Sequence, residues 1–239
     1  MDQIKSQLCS LRLSGMASCW QTLEETRRTP ELSLKDGMEL LLQAESDQRN
    51  VNRYARLLKS AGFRYNASIE ELRAESARGM DRALIDRLAM GDYIRNGEAI
   101  LITGSTGCGK SFLASALGNR ACRQGYTVAY FNMQKLLMRL KVSRLDGSII
   151  KLFDKLAKTD LLILDDFGLT PLQGQQQMDF MEIIEDRHAK KATIIASQLP
   201  VAKWFDVIGE ETIADAILDR VVHTSYRFTL SGDTLRKKQ

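Results

Sequence analysis

The chain carries a glycine-rich octapeptide, GSTGCGKS, at residues 104–111. An apolar run at 99–102 precedes it, and a stretch of helical composition begins at Phe112. A strand, a glycine-rich turn and a helix in this order form the loop that wraps the phosphates of a nucleotide. The glycines expose backbone N–H groups, and the helix N-terminus adds positive partial charge. The sequence therefore predicts that this chain binds a nucleoside triphosphate.

The residue types in this loop indicate separate roles. We expect Lys110 to reach the β- and γ-phosphates and Ser111 to ligate Mg²⁺, because a flexible ammonium neutralises phosphate oxygens and a hydroxyl oxygen suits a hard cation. The predicted nucleotide-binding set is Gly104, Ser105, Thr106, Gly107, Cys108, Gly109, Lys110, Ser111 and Phe112.

Composition narrows the class of protein. No apolar run approaches the roughly 20 residues that span a bilayer, and the polar start MDQIK lacks the pattern of a signal peptide, so we expect a cytoplasmic protein without a membrane partner. The four cysteines form no CxxC pair, which indicates reduced thiols and disfavours a zinc site. A chain of 239 residues has room for one α/β domain and a smaller one.

The first part of the chain is predicted to be a small helical domain, residues 1–78. Apolar residues recur at helical spacing in a first segment from Ile4 to Leu13 and in a second from Leu34. A third helical segment is expected at about 47–61, with Gly62 as its C-cap. Pro30 and Ser33 mark a break. We expect a helical connection at about 69–97 to lead into the nucleotide domain, residues 79–239.

The second part alternates strands and helices. Apolar runs at 99–102, 127–131, 161–164 and 193–196 are typical of buried strands, and helical patterns separate them. This alternation predicts an α/β fold, a parallel sheet with helices on both faces.

Two carboxylates follow the strand predicted at 161–164. Parallel strands deliver their carboxyl ends to one edge of the sheet, so Asp165 and Asp166 are expected beside the phosphates. We expect Asp165 to hold Mg²⁺, largely through water, and Asp166 to polarise the attacking water as a general base.

Two further polar positions complete the expected machinery. Gln198, or alternatively Ser197, follows the strand predicted at 193–196 and could sense the γ-phosphate. Arg220 ends a predicted helix; it either pairs with Asp219 or Asp215 on the surface or acts as an arginine finger on the nucleotide of a neighbouring subunit.

Basic side chains recur along two helical segments. The first set is Arg49, Arg53 and Arg56; the second comprises Lys135, Arg139, Lys141, Arg144, Lys151 and Lys155. Such stripes are either solvated helix faces or surfaces that contact nucleic-acid phosphates. The sequence alone leaves both interpretations open.

The order of these motifs resembles the initiator and helicase-loader branch of the AAA+ ATPases, and within it the IstB-like helpers of insertion-sequence transposases. The resemblance covers the whole chain and is carried by LRLSGMA at 11–17, LLILDDFG at 161–168, SQLP at 197–200 and IADAILDR at 213–220. At Asp166 the chain departs from the AAA+ pattern, where glutamate is usual. The shorter side chain implies slow hydrolysis, or hydrolysis that depends on a partner aligning the water.

This resemblance implies an ATP- and Mg²⁺-dependent homo-oligomer that binds double-stranded DNA without reading its sequence, deforms it and activates a transposase. It also implies that the second basic set faces the central channel of the oligomer. Arg236 is a weaker candidate for a second ATP sensor.

Two other functions fit a phosphate loop. A replicative helicase loader like DnaC would prefer single-stranded DNA and often stacks bases on aromatic rings, whereas the basic segments contain only Tyr54 and Phe153. A metabolite kinase needs neither the extra helical domain nor an arginine that acts between subunits.

Overall fold

The computed structural model describes residues 3–72 and 78–232. The chain divides into two compact units, Met1–Arg56 and Leu57–Gln239. Residues 57–72, which the sequence analysis grouped with the N-terminal helical domain, belong to the second unit. A functional division at residue 78 stays a prediction.

The first unit is helical. It comprises α1 (Gln3–Ser10), α2 (Ser14–Glu25), a 3₁₀ turn (Thr29–Glu31) and most of α3 (Leu34–Ala61), whose last residues enter the second unit. The predicted break near residue 47 is wrong: α3 runs unbroken for 28 residues, because the chain has no glycine or proline from 38 to 61. The first predicted segment, from Ile4 to Leu13, corresponds to α1, which ends at Ser10; Arg12 then takes a φ of 59°, and α2 begins at Ser14.

Glu45 joins two helices of the first unit. Its Oε2 accepts hydrogen bonds from the backbone N–H groups of Gly15, at 2.8 Å, and Met16, at 3.2 Å, which begin α2. Residue 15 must be glycine for this approach, because a Cβ there would lie 2.4 Å from the carbonyl oxygen of Ala44. A buried carboxylate therefore caps the N-terminus of α2.

The second unit contains a five-stranded parallel sheet with the strand order β2-β3-β4-β1-β5. The strands are β1 (Ala99–Gly104), β2 (Val128–Asn132), β3 (Leu161–Phe167), β4 (Ala192–Ser197) and β5 (Ser225–Leu230). The predicted α/β class and the first four strands are confirmed. The fifth strand, β5, was not predicted. It reads SYRFTL and lies at the edge of the sheet, where its exposed residues alternate with buried ones.

Helices connect and cover the strands. They are α4 (Arg82–Leu88), α5 (Asp92–Arg95), α6 (Lys110–Arg123), α7 (Met133–Leu145), α8 (Ile149–Lys158), α9 (Gln175–Arg187), α10 (Trp204–Ile208) and α11 (Glu211–Val222). Central strands are buried on both faces, which is why they read as continuous apolar runs. Within the core, the ring of Phe167 lies 4.8 Å from that of Trp204 and 5.4 Å from that of Phe180.

The buried guanidinium of Arg187 ties the end of α8 to the start of β4. It donates to the carbonyl oxygens of Leu156, Thr159 and Ala192 and to the hydroxyl of Thr193. Burial lowers the pKa of Arg187 to about 10, which still leaves it charged at neutral pH.

The sheet geometry brings the predicted motifs together. β1, β3 and β4 are neighbours, and their carboxyl ends lead into the glycine-rich loop, Asp165-Asp166 and Ser197-Gln198. The pairing of β3 with β4 shifts register between Leu164 and Phe167, so Asp165 and Asp166 lie at an irregular strand end. Among the helices of the described ranges, none is both long and apolar enough to cross a membrane.

Candidate functional site

The glycine-rich loop folds as a tight turn between β1 and α6. Gly104 has a φ of 147° and Gly109 a φ of 104°, values that side chains rarely allow. A Cβ at Gly104 would also lie 2.2 Å from the carbonyl oxygen of Leu230 on β5. The edge strand that the sequence did not reveal therefore restricts the start of the loop to glycine.

Lys110 lies inside this turn. Its Nζ donates to the carbonyl oxygens of Gly104, at 2.7 Å, and Ser105, at 2.8 Å, and the residue is buried. Cys108 is also buried, with its Sγ 4.0 Å from Nζ. The loop thus holds an ammonium group at its centre, where phosphate oxygens would replace backbone carbonyls as its partners.

A cavity of about 520 Å³ opens beside the loop, within the size range of small-ligand sites. From the loop and α6 it is lined by Thr106, Gly107, Gly109, Lys110, Ser111 and Phe112; Asp166 and Gln198 line it from the strand ends. The structure therefore brings six of the nine predicted nucleotide-binding residues to one cavity. Gly104, Ser105 and Cys108 support the loop without lining the cavity.

The segment before β1 supplies the other wall. Arg64, Tyr65, Glu71, Leu72 and Met80 line the cavity from that side. The ring centroids of Tyr65 and Phe112 lie 6.4 Å apart, and the apolar side chains of Leu72 and Met80 also line the cavity. Aromatic and apolar side chains of this kind would suit a flat base.

Asp165 is fully buried at the end of β3. The hydroxyl of Tyr130 on β2 donates a short hydrogen bond to its Oδ2, and the backbone N–H of Asp166 donates to its Oδ1 at 2.9 Å. Burial, with the Asp165 carboxylate beside it, raises the pKa of Tyr130, so this phenol stays a hydrogen-bond donor at neutral pH. The carboxylate is fixed before any ligand arrives.

Asp166 faces the cavity from a left-handed backbone conformation, with a φ of 58°. The side-chain amide of Asn132 donates to its Oδ2 at 2.9 Å, and the guanidinium of Arg64 donates to the same oxygen at 3.2 Å. Backbone strain of this kind gathers at functional positions. Asn132 was not among the predicted site residues. It directly follows the strand predicted at 127–131, just as Asp165 directly follows the strand predicted at 161–164, so the same signal could have identified it.

The structure separates the two candidates at the end of β4. Ser197 is fully buried; its hydroxyl donates to the carbonyl oxygen of Phe167 at 2.8 Å and accepts from the N–H of Leu199 at 3.0 Å. Gln198 lines the cavity and accepts a hydrogen bond from the Thr106 hydroxyl. Of the two candidates Gln198 therefore faces the cavity, and its role in sensing the γ-phosphate stays a prediction.

Arg220 lies on α11, and it is not among the described residues that line the cavity. Its guanidinium pairs with Glu185 at 2.6 Å and donates to the carbonyl oxygen of Ala216. The surface partner is thus Glu185 on α9, not Asp215 or Asp219 as the sequence analysis considered; Asp219 pairs with His223. A role on a neighbouring subunit's nucleotide stays a prediction.

The predicted DNA-contacting residues are exposed on three helices. Arg49, Arg53 and Arg56 are on α3, Lys135, Arg139, Lys141 and Arg144 on α7, and Lys151 and Lys155 on α8. Arg49 pairs with Glu45, and Arg139 lies over the ring of Phe131. Arg144 binds the buried carboxylate of Asp179, a structural role that the sequence did not indicate. Arg236 lies outside the described residues.

The chain matches a known protein family over nearly its whole length. Residues 6–239 match the sequence model of the family described as IstB-like ATP binding protein. The chain is 42% identical to the insertion-sequence ATP-binding protein y4pL of Sinorhizobium fredii, over 98% of this chain and 95% of that protein. It is 26% identical to the ATP-binding protein of insertion sequence IS21 of Pseudomonas aeruginosa, over 100% of this chain and 90% of that protein.

Solved structures share the fold. The DnaC helicase loader superposes with a TM-score of 0.60 at 23% identity, covering 70% of this chain and 98% of that one. The replication initiator DnaA bound to AMPPCP and single-stranded DNA gives a TM-score of 0.59 at 19% identity, covering 72% of this chain and 52% of that one. At these identities the likeness establishes the AAA+ fold.

Proposed function

This chain belongs to the IstB-like ATP-binding family, and from that premise we propose that it is a Mg²⁺-dependent ATPase that assembles on duplex DNA and assists an insertion-sequence transposase. One observation carries the enzymatic part: a single cavity gathers Lys110, Ser111, Asp166 and Gln198 from the loop and two strand ends. Cation, hydroxyl, carboxylate and amide are the groups that binding and hydrolysing a triphosphate require.

The donor set fits Mg²⁺. The Ser111 hydroxyl lines the cavity and offers an oxygen ligand of the kind this ion prefers, with water and phosphate oxygens completing its shell. The Asp165 carboxylate is fully buried and is not among the described residues that line the cavity, so it would hold the ion through water. The bound ion would neutralise charge on the β- and γ-phosphates. Lys110 adds a second positive charge from inside the loop, where its partners are now two carbonyl oxygens.

Asp166 is the proposed general base. Both donors that reach it in the described part of the chain bind Oδ2, so its carboxylate is held with Oδ1 available to a water. Gln198 lines the same cavity and would orient that water or the γ-phosphate. Arg220, supplied by a neighbouring subunit, would stabilise the charge that develops during transfer.

DNA binding is proposed for the exposed lysines of α7 and α8. Lys135, Lys141, Lys151 and Lys155 are exposed without a carboxylate partner among the described ion pairs, unlike Arg144. Lysines spread along a helix pair meet phosphates without reading bases. The exposed Arg53 and Arg56 of α3 are the second proposed surface.

The proposal of a transposase partner is supported by the relatives above, which are named as insertion-sequence ATP-binding proteins. A cytoplasmic location is part of the same proposal. The alternative, a replicative helicase loader, has the likeness of fold to DnaC in its favour. The full-length relatives favour the transposition helper, because they match at higher identity across both units.

Binding to matched double- and single-stranded oligonucleotides, measured by fluorescence anisotropy at two salt concentrations with ATP, ADP or no nucleotide, tests this function. We expect ATP-dependent, salt-sensitive binding that prefers duplex. Lys135, Lys141, Lys151 and Lys155 changed together to Gln should weaken it and lower the salt dependence, whereas Lys35→Gln, an exposed lysine of α3, serves as the control. A preference for single strands would favour the helicase loader. No binding in any state would remove the DNA-dependent function.

A further inference from the structure

Three consecutive residues after α3 each contact a different part of the nucleotide machinery. Phe63 packs against Tyr130, Arg64 pairs with Asp166, and Tyr65 lies against Phe112. No motif marks this tripeptide in the sequence, and Arg64 is 102 positions from Asp166. The tripeptide at 63–65 therefore contributes to the site in addition to the sequence motifs described above.

Phe63 anchors the tripeptide on the side of Asp165. Its ring meets that of Tyr130 edge-on at 6.2 Å, and the hydroxyl of Tyr130 holds Asp165. Gly118 on α6 makes room for this ring, since a Cβ there would lie 2.5 Å from Phe63 Cε1. Phe63 thus packs directly on the side chain that fixes the first carboxylate.

Tyr65 anchors the other side. Its ring lies 6.4 Å from Phe112, the residue that follows the predicted Mg²⁺ ligand Ser111. Two residues on, the carbonyl oxygen of Ala67 accepts a hydrogen bond from the side-chain amide of Asn119 at 2.9 Å. Aromatic contacts therefore anchor the residues before and after Arg64, and its guanidinium lies 5.5 Å from the centroid of the Tyr65 ring.

Arg64 reaches both carboxylates. Its NH1 lies 3.2 Å from Asp166 Oδ2 and 3.9 Å from Asp165 Oδ2, and the side chain also lines the cavity. Asn132 binds the same oxygen of Asp166 from β2. Two donors on one oxygen fix the rotation of the carboxylate and direct its second oxygen.

We propose that Arg64 is a positioning residue for ATP hydrolysis, which holds the short Asp166 side chain in the orientation needed to activate water. The inference rests on the proposed ATPase function. An aspartate extends one methylene less far than the glutamate usual at this position, so its alignment has less tolerance, and a misplacement of about 1 Å can cost roughly 100-fold in rate.

Arg64 lies close to the end of α3 in the chain. Gly62, with a φ of 71°, ends α3, and Arg64 follows two residues later. Arg64 therefore follows closely on the last residues of α3, 57–61, which belong to the same compact unit as Asp166.

Steady-state ATPase kinetics and the equilibrium binding of a fluorescent ATP analogue, measured on the full chain, test the role of Arg64. We expect Arg64→Gln to lower kcat by roughly 10- to 100-fold and to change the Kd of the analogue by less than about threefold. Arg64→Lys should recover part of kcat, because it keeps a cation near Asp166. Arg82→Gln is the matched control, since Arg82 pairs with Asp86 at 3.0 Å on α4 and does not line the cavity.

A double variant separates this role from others. If Arg64 acts through Asp166, adding Arg64→Gln to Asp166→Asn should lower kcat no further than Asp166→Asn alone. An unchanged kcat in Arg64→Gln, or a loss of analogue affinity as large as the loss of kcat, would overturn the inference; the second result would make Arg64 a phosphate ligand. If Asp166→Asn itself hydrolyses ATP at the wild-type rate, it is the proposed function that fails.

Discussion

The hydroxyl of Thr106, at the tip of the phosphate loop, donates a hydrogen bond of 2.8 Å to Oε1 of Gln198 at the end of β4. The two residues are 92 positions apart, and both line the cavity. Because Oε1 is occupied by Thr106, the amide nitrogen of Gln198 is oriented as a donor. A donor at this position can bind a γ-phosphate oxygen or the attacking water.

Replacing Gln198 should therefore affect hydrolysis more than binding. We expect Gln198→Ala to lower kcat by roughly 10- to 100-fold, with the Kd of ATP changed by only a few fold, since Lys110 and the apolar lining of the cavity are untouched. ATPase kinetics with parallel nucleotide titrations measure both quantities. Thr106→Val, which removes the hydroxyl with little change in shape, should give a smaller loss of kcat and none when Gln198 is already Ala. Equal losses of affinity and kcat in Gln198→Ala would argue against the sensing role.

Lys110→Ala should abolish ATP binding. At least two charge-assisted hydrogen bonds to phosphate are lost, about 3 kcal/mol or more, which weakens the Kd by roughly 100-fold or more. Isothermal titration with ATP measures this loss, and a thermal melt shows whether the loop survives without its internal Lys110 bonds. Lys35→Ala is the control for removing an exposed lysine. Unchanged affinity in folded Lys110→Ala would refute the assignment of the phosphate loop.

The parts of the site that could be predicted lie in contiguous motifs. The loop at 104–111 and the pair Asp165-Asp166 each combine a local pattern with an apolar strand. In the structure most of the loop and Asp166 line one cavity, whereas Asp165 is fully buried and is not among the lining residues. The proximity of the loop to this pair is expected because parallel strands bring their carboxyl ends to the same edge of a sheet. Neither prediction required knowing which distant residues contact each other.

The parts that could not be predicted depend on contacts between distant residues. Nothing in the sequence around Arg64 distinguishes it from other exposed arginines. Its proposed role depends on its contact with Asp166, which lies 102 positions away. The edge strand β5 was missed because its exposed positions dilute the apolar run. Arg144 looked like its basic neighbours until the fold placed the buried Asp179 beside it.

Mixing two inactive variants tests whether Arg220 acts between subunits. Arg220→Ala keeps an intact cavity but lacks the finger, whereas Lys110→Ala cannot bind ATP but keeps the finger. We expect a mixture to regain part of the ATPase activity, because an Arg220→Ala cavity can receive Arg220 from a Lys110→Ala neighbour. A mixture of Lys110→Ala and Asp166→Asn is the control and should stay inactive, since both changes disable the subunit's own cavity. Lack of rescue at every ratio would leave Arg220 as the partner of Glu185 alone.

The cap of α2 gives a pH-dependent prediction. Hydrogen bonding from Arg49, and from the backbone N–H groups of Met16 and Gly15, holds the pKa of Glu45 below its usual value of 4.5 despite the opposing effect of burial. A carboxylate with a lowered pKa in the folded state stabilises the fold fully above its unfolded pKa and loses that effect as the pH falls through the folded pKa. Glu45→Gln should therefore weaken the first unit at pH 7, and the difference from wild type should vanish in acid.

Hydrogen exchange of the α2 amides, corrected for intrinsic exchange rates, measures this difference between pH 7 and pH 3. Glu39 is an exposed glutamate on α3, the helix that carries Glu45, so Glu39→Gln is the control and should change little at either pH. Arg49→Ala removes the largest cause of the lowered pKa, so the loss of protection should begin at a higher pH, closer to 4.5. If Glu45→Gln protects α2 as well as wild type at pH 7, the carboxylate is not what holds α2 to α3.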